Sequence, residues 1–118
     1  MTNTIKVRAI RNRNGSLMYY ITSDGSHIYN ALTGREVKQW VNPKSKRMYA
    51  TILLNNKEWR APVYRLVAMA YLNDGYSYPI DIEIHHRDFN RNNNYYKNLV
   101  PLTAEEHDRL HAERRRAK

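Results

Sequence analysis

The stretch EIHHRDFNRNNNYYKNLVPLTAEEHDRLH, residues 83–111, holds four of the five histidines of the 118-residue chain. Its first residues belong to a segment, 80–86, in which apolar and polar residues alternate as in a half-buried strand. A polar, asparagine-rich segment follows over 87–97, and the short apolar segment 98–102 is typical of a strand. The sequence therefore predicts two antiparallel strands joined by a polar loop.

A capping box predicts that a helix follows the second strand directly. Thr103 is followed three positions later by Glu106, so each side chain can bond to the backbone N–H of the other residue. We expect the helix to run to about Arg116, since arginines in its last turn complement the negative end of the helix dipole.

The histidines suit a metal site if the two strands fold over this helix. His107 and His111 are four positions apart, which places both imidazoles on one helix face. His85 and His86 are adjacent on a strand and point to opposite faces, so we expect them to have different roles. One of them would be the third metal ligand, leaving a coordination position open as in catalytic sites. The other, unliganded and facing solvent, would act as a general base near neutral pH.

The front of the chain predicts a small antiparallel β-rich region followed by one helix. Between 62 and 72 apolar residues recur at helical spacing, with Pro62 in the first turn and Asn73-Asp74-Gly75 as a stop signal. The candidate strands are Leu17–Thr22, His27–Ala31, Val37–Val41, Arg47–Leu54 and Glu58–Arg60. Alternation within Arg47–Leu54 predicts one apolar face, and Asn55-Asn56 predicts a hairpin turn into Glu58–Arg60. The residues expected on that apolar face are Met48, Ala50, Ile52 and Leu54.

The expected fold class is α+β, with a β-rich module over 1–78 and a unit of two strands and a helix over 79–118. The β-rich module is a candidate DNA-binding part, with its strands in a groove as the hypothesis for any base specificity.

The charge of the chain favours a polyanionic partner. Lys and Arg number 20 against 11 Asp and Glu, giving a net charge of +9. Nucleic acid is the usual partner of so basic a chain, because neutralising phosphates releases counterions. A basic, solvated surface without a partner is the alternative.

The absence of cysteine and of long apolar runs excludes further classes of protein. The chain has no cysteine, which excludes disulfides, thiolate zinc sites and a cysteine nucleophile and suits a reducing cytoplasm. No apolar run approaches the roughly 20 residues that cross a bilayer, and the basic N-terminus lacks the apolar stretch of a signal peptide. We expect a cytoplasmic protein without a membrane partner.

The pattern Glu83-Ile-His85-His86, Asn98-Leu99 and His107-x-x-x-His111 resembles the HNH, or ββα-metal, nuclease motif. In its histidines it is most similar to colicin-type nuclease domains, with a shorter loop between the strands. The front, from Tyr20-Ile-Thr-Ser-Asp-Gly25 through Val63-Tyr-Arg-Leu-Val67-Ala, is similar to small HNH homing-type endonucleases of phages and introns.

The HNH resemblance implies a role for each residue of the pattern. By resemblance the metal ligands are His85, His107 and His111, and His86 is the general base that deprotonates a water. Asn98 would fix the loop and the ring of the base, and Glu83 matches an acidic position near the site. Three imidazoles favour Zn²⁺, Ni²⁺ or Mn²⁺ over Mg²⁺, which prefers oxygen ligands, and the sequence leaves the identity of the one divalent ion open.

The implied activity is hydrolysis of double-stranded DNA by an intracellular, phage- or bacterium-encoded enzyme, acting as a monomer or homodimer. The family leaves a 5′ phosphate and a 3′ hydroxyl. Two other hypotheses remain: a non-catalytic DNA- or RNA-binding module with a structural metal site, and an inactive remnant or regulator of a mobile element. Basic residues predicted to hold phosphates, without base specificity, are Arg87, Arg91, Arg109, Arg114 and Arg115.

Overall fold

The computed structural model describes residues 6–116, and this part of the chain forms an α+β fold, as the sequence predicts. The strands are β1 (Val7–Arg11), β2 (Leu17–Thr22), β3 (Ile28–Asn30), β4 (Gln39–Val41), β5 (Met48–Leu54), β6 (Lys57–Pro62), β7 (Ile82–His86) and β8 (Leu99–Thr103). The α-helices are α1 (Val63–Leu72) and α2 (Ala104–Arg116), and a short 3₁₀ helix covers Tyr96–Asn98. In the described part of the chain no helix is long and apolar enough to span a membrane.

The strands form three small antiparallel sheets in the described part of the chain, β1-β2-β3, β4-β5-β6 and β7-β8. In β5 the alternation has its predicted consequence, because Ala50, Ile52 and Leu54 are buried while Thr51 and Leu53 are exposed. Asn55 and Asn56 both have positive φ, 52° and 64°, as a two-residue hairpin turn between β5 and β6 requires. Local sequence patterns therefore account for the second sheet.

Helix α1 is the centre of the hydrophobic core. Instead of burying the single stripe that its periodicity predicts, it also buries Ala68 and Met69 completely. The reason is that all three sheets pack against it, with β7 and β8 supplying Ile84 and Leu99 to the same core. The guanidinium of Arg65 also donates to the carbonyl of Ile82 over 2.8 Å. The helix thus fixes the start of the strand that carries the histidine pair.

The last two strands and α2 form the predicted strand–strand–helix unit. The register of β7 and β8 runs from Ile82 opposite Thr103 to His86 opposite Leu99. The capping box is present, since the Glu106 N–H donates to Thr103 Oγ1 over 3.2 Å and the Thr103 N–H donates to Glu106 Oε1 over 3.1 Å. Three boundaries differ from the predicted segments 80–86 and 98–102. Strand β7 begins at Ile82, and β8 begins one residue later, after Asn98 has ended the 3₁₀ helix, and ends at Thr103.

A substitution at Gly75 tests how closely the end of α1 packs against the first sheet. It has a φ of +94°, and an added Cβ would lie 2.6 Å from the carbonyl oxygen of Ala9. We expect Gly75→Ala to lower the free energy of unfolding by about 2–5 kcal/mol, measured by urea denaturation, through backbone strain and overpacking. Gly34→Ala is the matched control, because Gly34 has a φ of +74° but no atom within 4 Å of the added Cβ. A loss for Gly75→Ala no larger than for Gly34→Ala would contradict the close packing.

Candidate active site

Three imidazoles meet where β7 packs against α2. His85 comes from β7, and His107 and His111 come from consecutive turns of α2. Each offers a ring nitrogen, and the three nitrogens lie within 4.8 Å of one another. The Nε2 atoms of His107 and His111 are 3.0 Å apart, and His85 is only 4% exposed. The structure therefore brings the three sequence-predicted metal ligands together.

The donor set of this cluster fits a divalent metal. A tetrahedral zinc ion holds imidazole nitrogens at about 2.0–2.1 Å, so its ligand nitrogens lie roughly 3.4 Å apart. The nitrogen–nitrogen distances in the cluster, 3.0 Å between His107 and His111 and at most 4.8 Å for the other pairs, are close to that value. Burial, together with the neighbouring imidazoles of His107 and His111, lowers the pKa of His85. The ring is therefore neutral at neutral pH, as a metal ligand must be.

Glu83 orients one of the three imidazoles. It lies two residues before His85 on β7, and such residues share a strand face. Its carboxylate Oε2 accepts a hydrogen bond from Nδ1 of His107. Because Nδ1 then carries the proton, the Nε2 lone pair of His107 is directed toward the cluster. The acidic position that the sequence singled out therefore touches a candidate ligand.

We expect Glu83→Gln to raise the dissociation constant for Zn²⁺ about 10- to 100-fold, measured by competition with a zinc-chelating dye. The amide can still accept from the imidazole but no longer supplies the negative charge that raises ligand basicity. Glu113→Gln removes an exposed carboxylate from α2 and should leave zinc affinity unchanged. Equal affinities for wild type and Glu83→Gln would contradict this orienting role.

His86 lies apart from the three-imidazole cluster but borders the same open cavity. The prediction that this ring faces solvent is wrong, since His86 is only 6% exposed. The rings of His86 and Tyr64, from α1, form an edge-to-face pair, and Nε2 of His86 lies 3.1 Å from Oδ1 of Asn94. Burial lowers the pKa of His86, against the opposing effect of the Asn94 hydrogen bond, so the ring is neutral at neutral pH. With the Asn94 oxygen as acceptor, Nε2 carries the proton and Nδ1 is the basic nitrogen.

Asn98 holds the loop between β7 and β8. Its side-chain Nδ2 donates to Asp88 Oδ1 and to the carbonyl of Asn93, and its Oδ1 accepts from the backbone N–H of Asp88. Hydrogen bonds from the Asn93 side chain, the Asn90 N–H and Nδ2 of Asn98 lower the pKa of the Asp88 carboxyl to about 2. The side chain within hydrogen-bonding distance of the His86 ring is Asn94, a residue that the sequence did not indicate, and not Asn98.

Phe89 is a second residue that the sequence did not indicate. Its φ is +60°, an uncommon value for a bulky side chain, and its N–H donates to the carbonyl of His86 over 2.9 Å. This turn packs the ring edge-on against His85 and His111, at centroid distances of 4.8 and 5.1 Å. The guanidinium of Arg114 lies 3.7 Å from the centroid of the Phe89 ring. Phe89 thus forms one wall of the imidazole cluster.

Only two of the five arginines predicted to hold phosphates border the cavity. These are Arg91 and Arg114, whereas Arg87, Arg109 and Arg115 are exposed and lie outside its lining. Arg109 also pairs with Glu105 on the same helix at 3.5 Å. A third arginine at the cavity, Arg47, comes from the start of β5 and was not predicted, because no local pattern connects it to the histidines.

Comparison with solved structures shows the class of fold. The chain superposes on the HNH homing endonuclease I-HmuI, in a structure that describes DNA binding and cleavage by that enzyme, with a TM-score of 0.68 and 22% sequence identity. The superposition covers 93% of this chain and 59% of that one. No protein-family model matches the sequence, and no curated protein matches it either. The resemblance to the HNH, or ββα-metal, family is thus confirmed for the fold.

Proposed function

We propose that this chain is a metal-dependent endonuclease that hydrolyses phosphodiester bonds of double-stranded DNA. The observation that carries the proposal is one cavity bordered both by a cluster of three imidazoles and by a separate, neutral His86. Phosphodiester hydrolysis needs both kinds of group, one for the charge of the phosphate and one for the proton of the attacking water. The HNH fold and the net charge of +9 support DNA as the substrate.

The three clustered imidazoles would hold one divalent ion, through His85, His107 and His111. That ion supplies charge stabilisation to the phosphoryl and leaving oxygens. A set of three nitrogens suits Zn²⁺, Ni²⁺ or Mn²⁺ better than Mg²⁺. Glu83 keeps the Nε2 atom of His107 free for coordination. The ββα unit thereby supplies the complete set of protein ligands.

His86 would act as the general base at its Nδ1 atom. It takes a proton from water as the water oxygen bonds to phosphorus, and the bond from phosphorus to the 3′ oxygen breaks. The departing 3′ oxygen takes a proton from solvent, so the products are a 5′ phosphate and a 3′ hydroxyl, and His86 afterwards releases its own proton to solvent. Asn94 holds the tautomer that leaves Nδ1 unprotonated, while Tyr64 packs against the ring and limits its rotation. Because the proposed substrate is DNA, we expect the protein to act inside the cell.

Incubation of supercoiled plasmid with the protein and each of the four candidate ions tests the proposal, with EDTA and His86→Ala as comparisons. The endonuclease converts plasmid to nicked or linear forms only when an ion is present. A protein that binds metal and DNA but leaves plasmid intact with every ion would instead be the DNA-binding module with a structural metal site.

A further inference from the structure

We infer that Arg47 is a substrate-binding residue of the active site, donated by the β-rich module, and that its guanidinium binds a backbone phosphate of the DNA. The inference rests on the proposed function and adds a residue that lies outside the ββα unit. The side chain of Arg47 borders the same cavity as the four histidines.

The turn that carries Arg47 has a defined conformation. Asn42 closes it, since its backbone N–H donates to the carbonyl of Arg47 over 2.8 Å and its Oδ1 accepts from the N–H groups of Lys44 and Ser45. Lys46 completes the turn in the left-handed region, with a φ of 62°. Arg47 therefore leaves the turn from a backbone fixed by several hydrogen bonds.

The same turn is joined to the loop of the nuclease unit. Nη1 of Arg91, in the loop between β7 and β8, donates to the carbonyl of Ser45 over 3.0 Å. This contact spans 46 positions in sequence and lies two residues from Arg47. Arg91 thus uses one N–H group to hold the turn, and the turn places Arg47 at the cavity that Arg91 also borders.

The guanidinium of Arg47 is arranged to bind an anion. It lies over the ring of Tyr64, 4.8 Å from the centroid, and Arg114 lies in the same way over Phe89. A guanidinium that rests on an aromatic ring keeps the N–H groups at its edge free to donate. Among residues 6–116 no salt bridge involves Arg47, Arg91 or Arg114. Three arginines without a carboxylate partner around one cavity favour an anionic occupant, and the planar fork of arginine matches the oxygens of a phosphate.

Arg47→Gln tests the inference in two independent measurements. In EDTA, without metal and therefore without cleavage, we expect weaker binding to a short DNA duplex and a salt dependence of log K shallower by about 0.9, the change for one phosphate contact. With metal and saturating DNA, we expect the single-turnover rate to fall at least about 10-fold, because the phosphate is held less well. Arg47→Lys, which keeps the charge but lacks the fork, should retain the salt dependence and lose part of the rate.

Arg8→Gln is the matched control. Arg8 also lies over a tyrosine, 5.5 Å from the centroid of Tyr71, but it does not border the histidine cavity. It should keep the wild-type salt dependence and single-turnover rate. A folded Arg47→Gln protein with the salt dependence and rate of Arg8→Gln would overturn the inference. If the wild type cleaves no DNA, the proposed function fails, and the EDTA measurement still decides whether Arg47 contacts phosphate.

Discussion

Replacing His86 with alanine is expected to lower the single-turnover rate of plasmid nicking about 100- to 10,000-fold, the usual contribution of a general base. The three clustered imidazoles do not include His86, so metal affinity should stay close to that of wild type. DNA affinity in EDTA should also be unchanged, because the ring is neutral and buried. A rate loss without a binding loss is the signature of a group that acts on the proton of the attacking water.

Two controls separate this effect from misfolding. His86→Gln keeps a donor that can bond to Oδ1 of Asn94 and fills most of the buried space, so it should fold even if the alanine variant is unstable. His27→Ala removes an exposed histidine whose Nδ1 pairs with Glu36, and it should nick plasmid at the wild-type rate. A folded His86→Gln protein that nicks as fast as His27→Ala would show that another group takes the proton.

Sequence patterns predicted the parts of the fold that depend on near neighbours. The alternation in β5, the Asn55-Asn56 turn and the Thr103 capping box each involve residues within a few positions, and the structure contains all three. The contact of Glu83 with His107 depends partly on such a pattern, because the shared strand face of Glu83 and His85 follows from a spacing of two.

The missed features depend on tertiary contacts. Alternation places His85 and His86 on opposite faces, but it does not reveal that Tyr64 of α1 covers the second face and buries His86. Four further asparagines precede Asn98 in the loop, and no periodicity indicates that Asn94 is the one that reaches the ring. That choice depends on the path of the loop, which turns at Phe89 with a positive φ. The position of Arg47 depends on the hydrogen bond between Arg91 and Ser45, two residues that are 46 positions apart in the sequence.

Replacing His111 with alanine is expected to remove most of the metal-dependent stabilisation of the fold. A ligand that binds only the native state stabilises it by about 4.1 kcal/mol at a concentration 1,000 times its dissociation constant. For a chain of this size that free energy raises Tm by about 10–25 °C. His111→Ala leaves two imidazoles, so we expect little or no shift at the same zinc concentration, measured by scanning calorimetry with and without EDTA.

The metal-free form of the same variant distinguishes a lost ligand from a lost packing contact. His111 contacts the Phe89 ring, and its removal should cost the metal-free protein only about 1 kcal/mol. His27→Ala should keep the full zinc-dependent shift, because His27 lies outside the cluster. If His111→Ala kept that shift as well, the three imidazoles would not be the metal site, and the hydrolytic mechanism would lose its source of charge stabilisation.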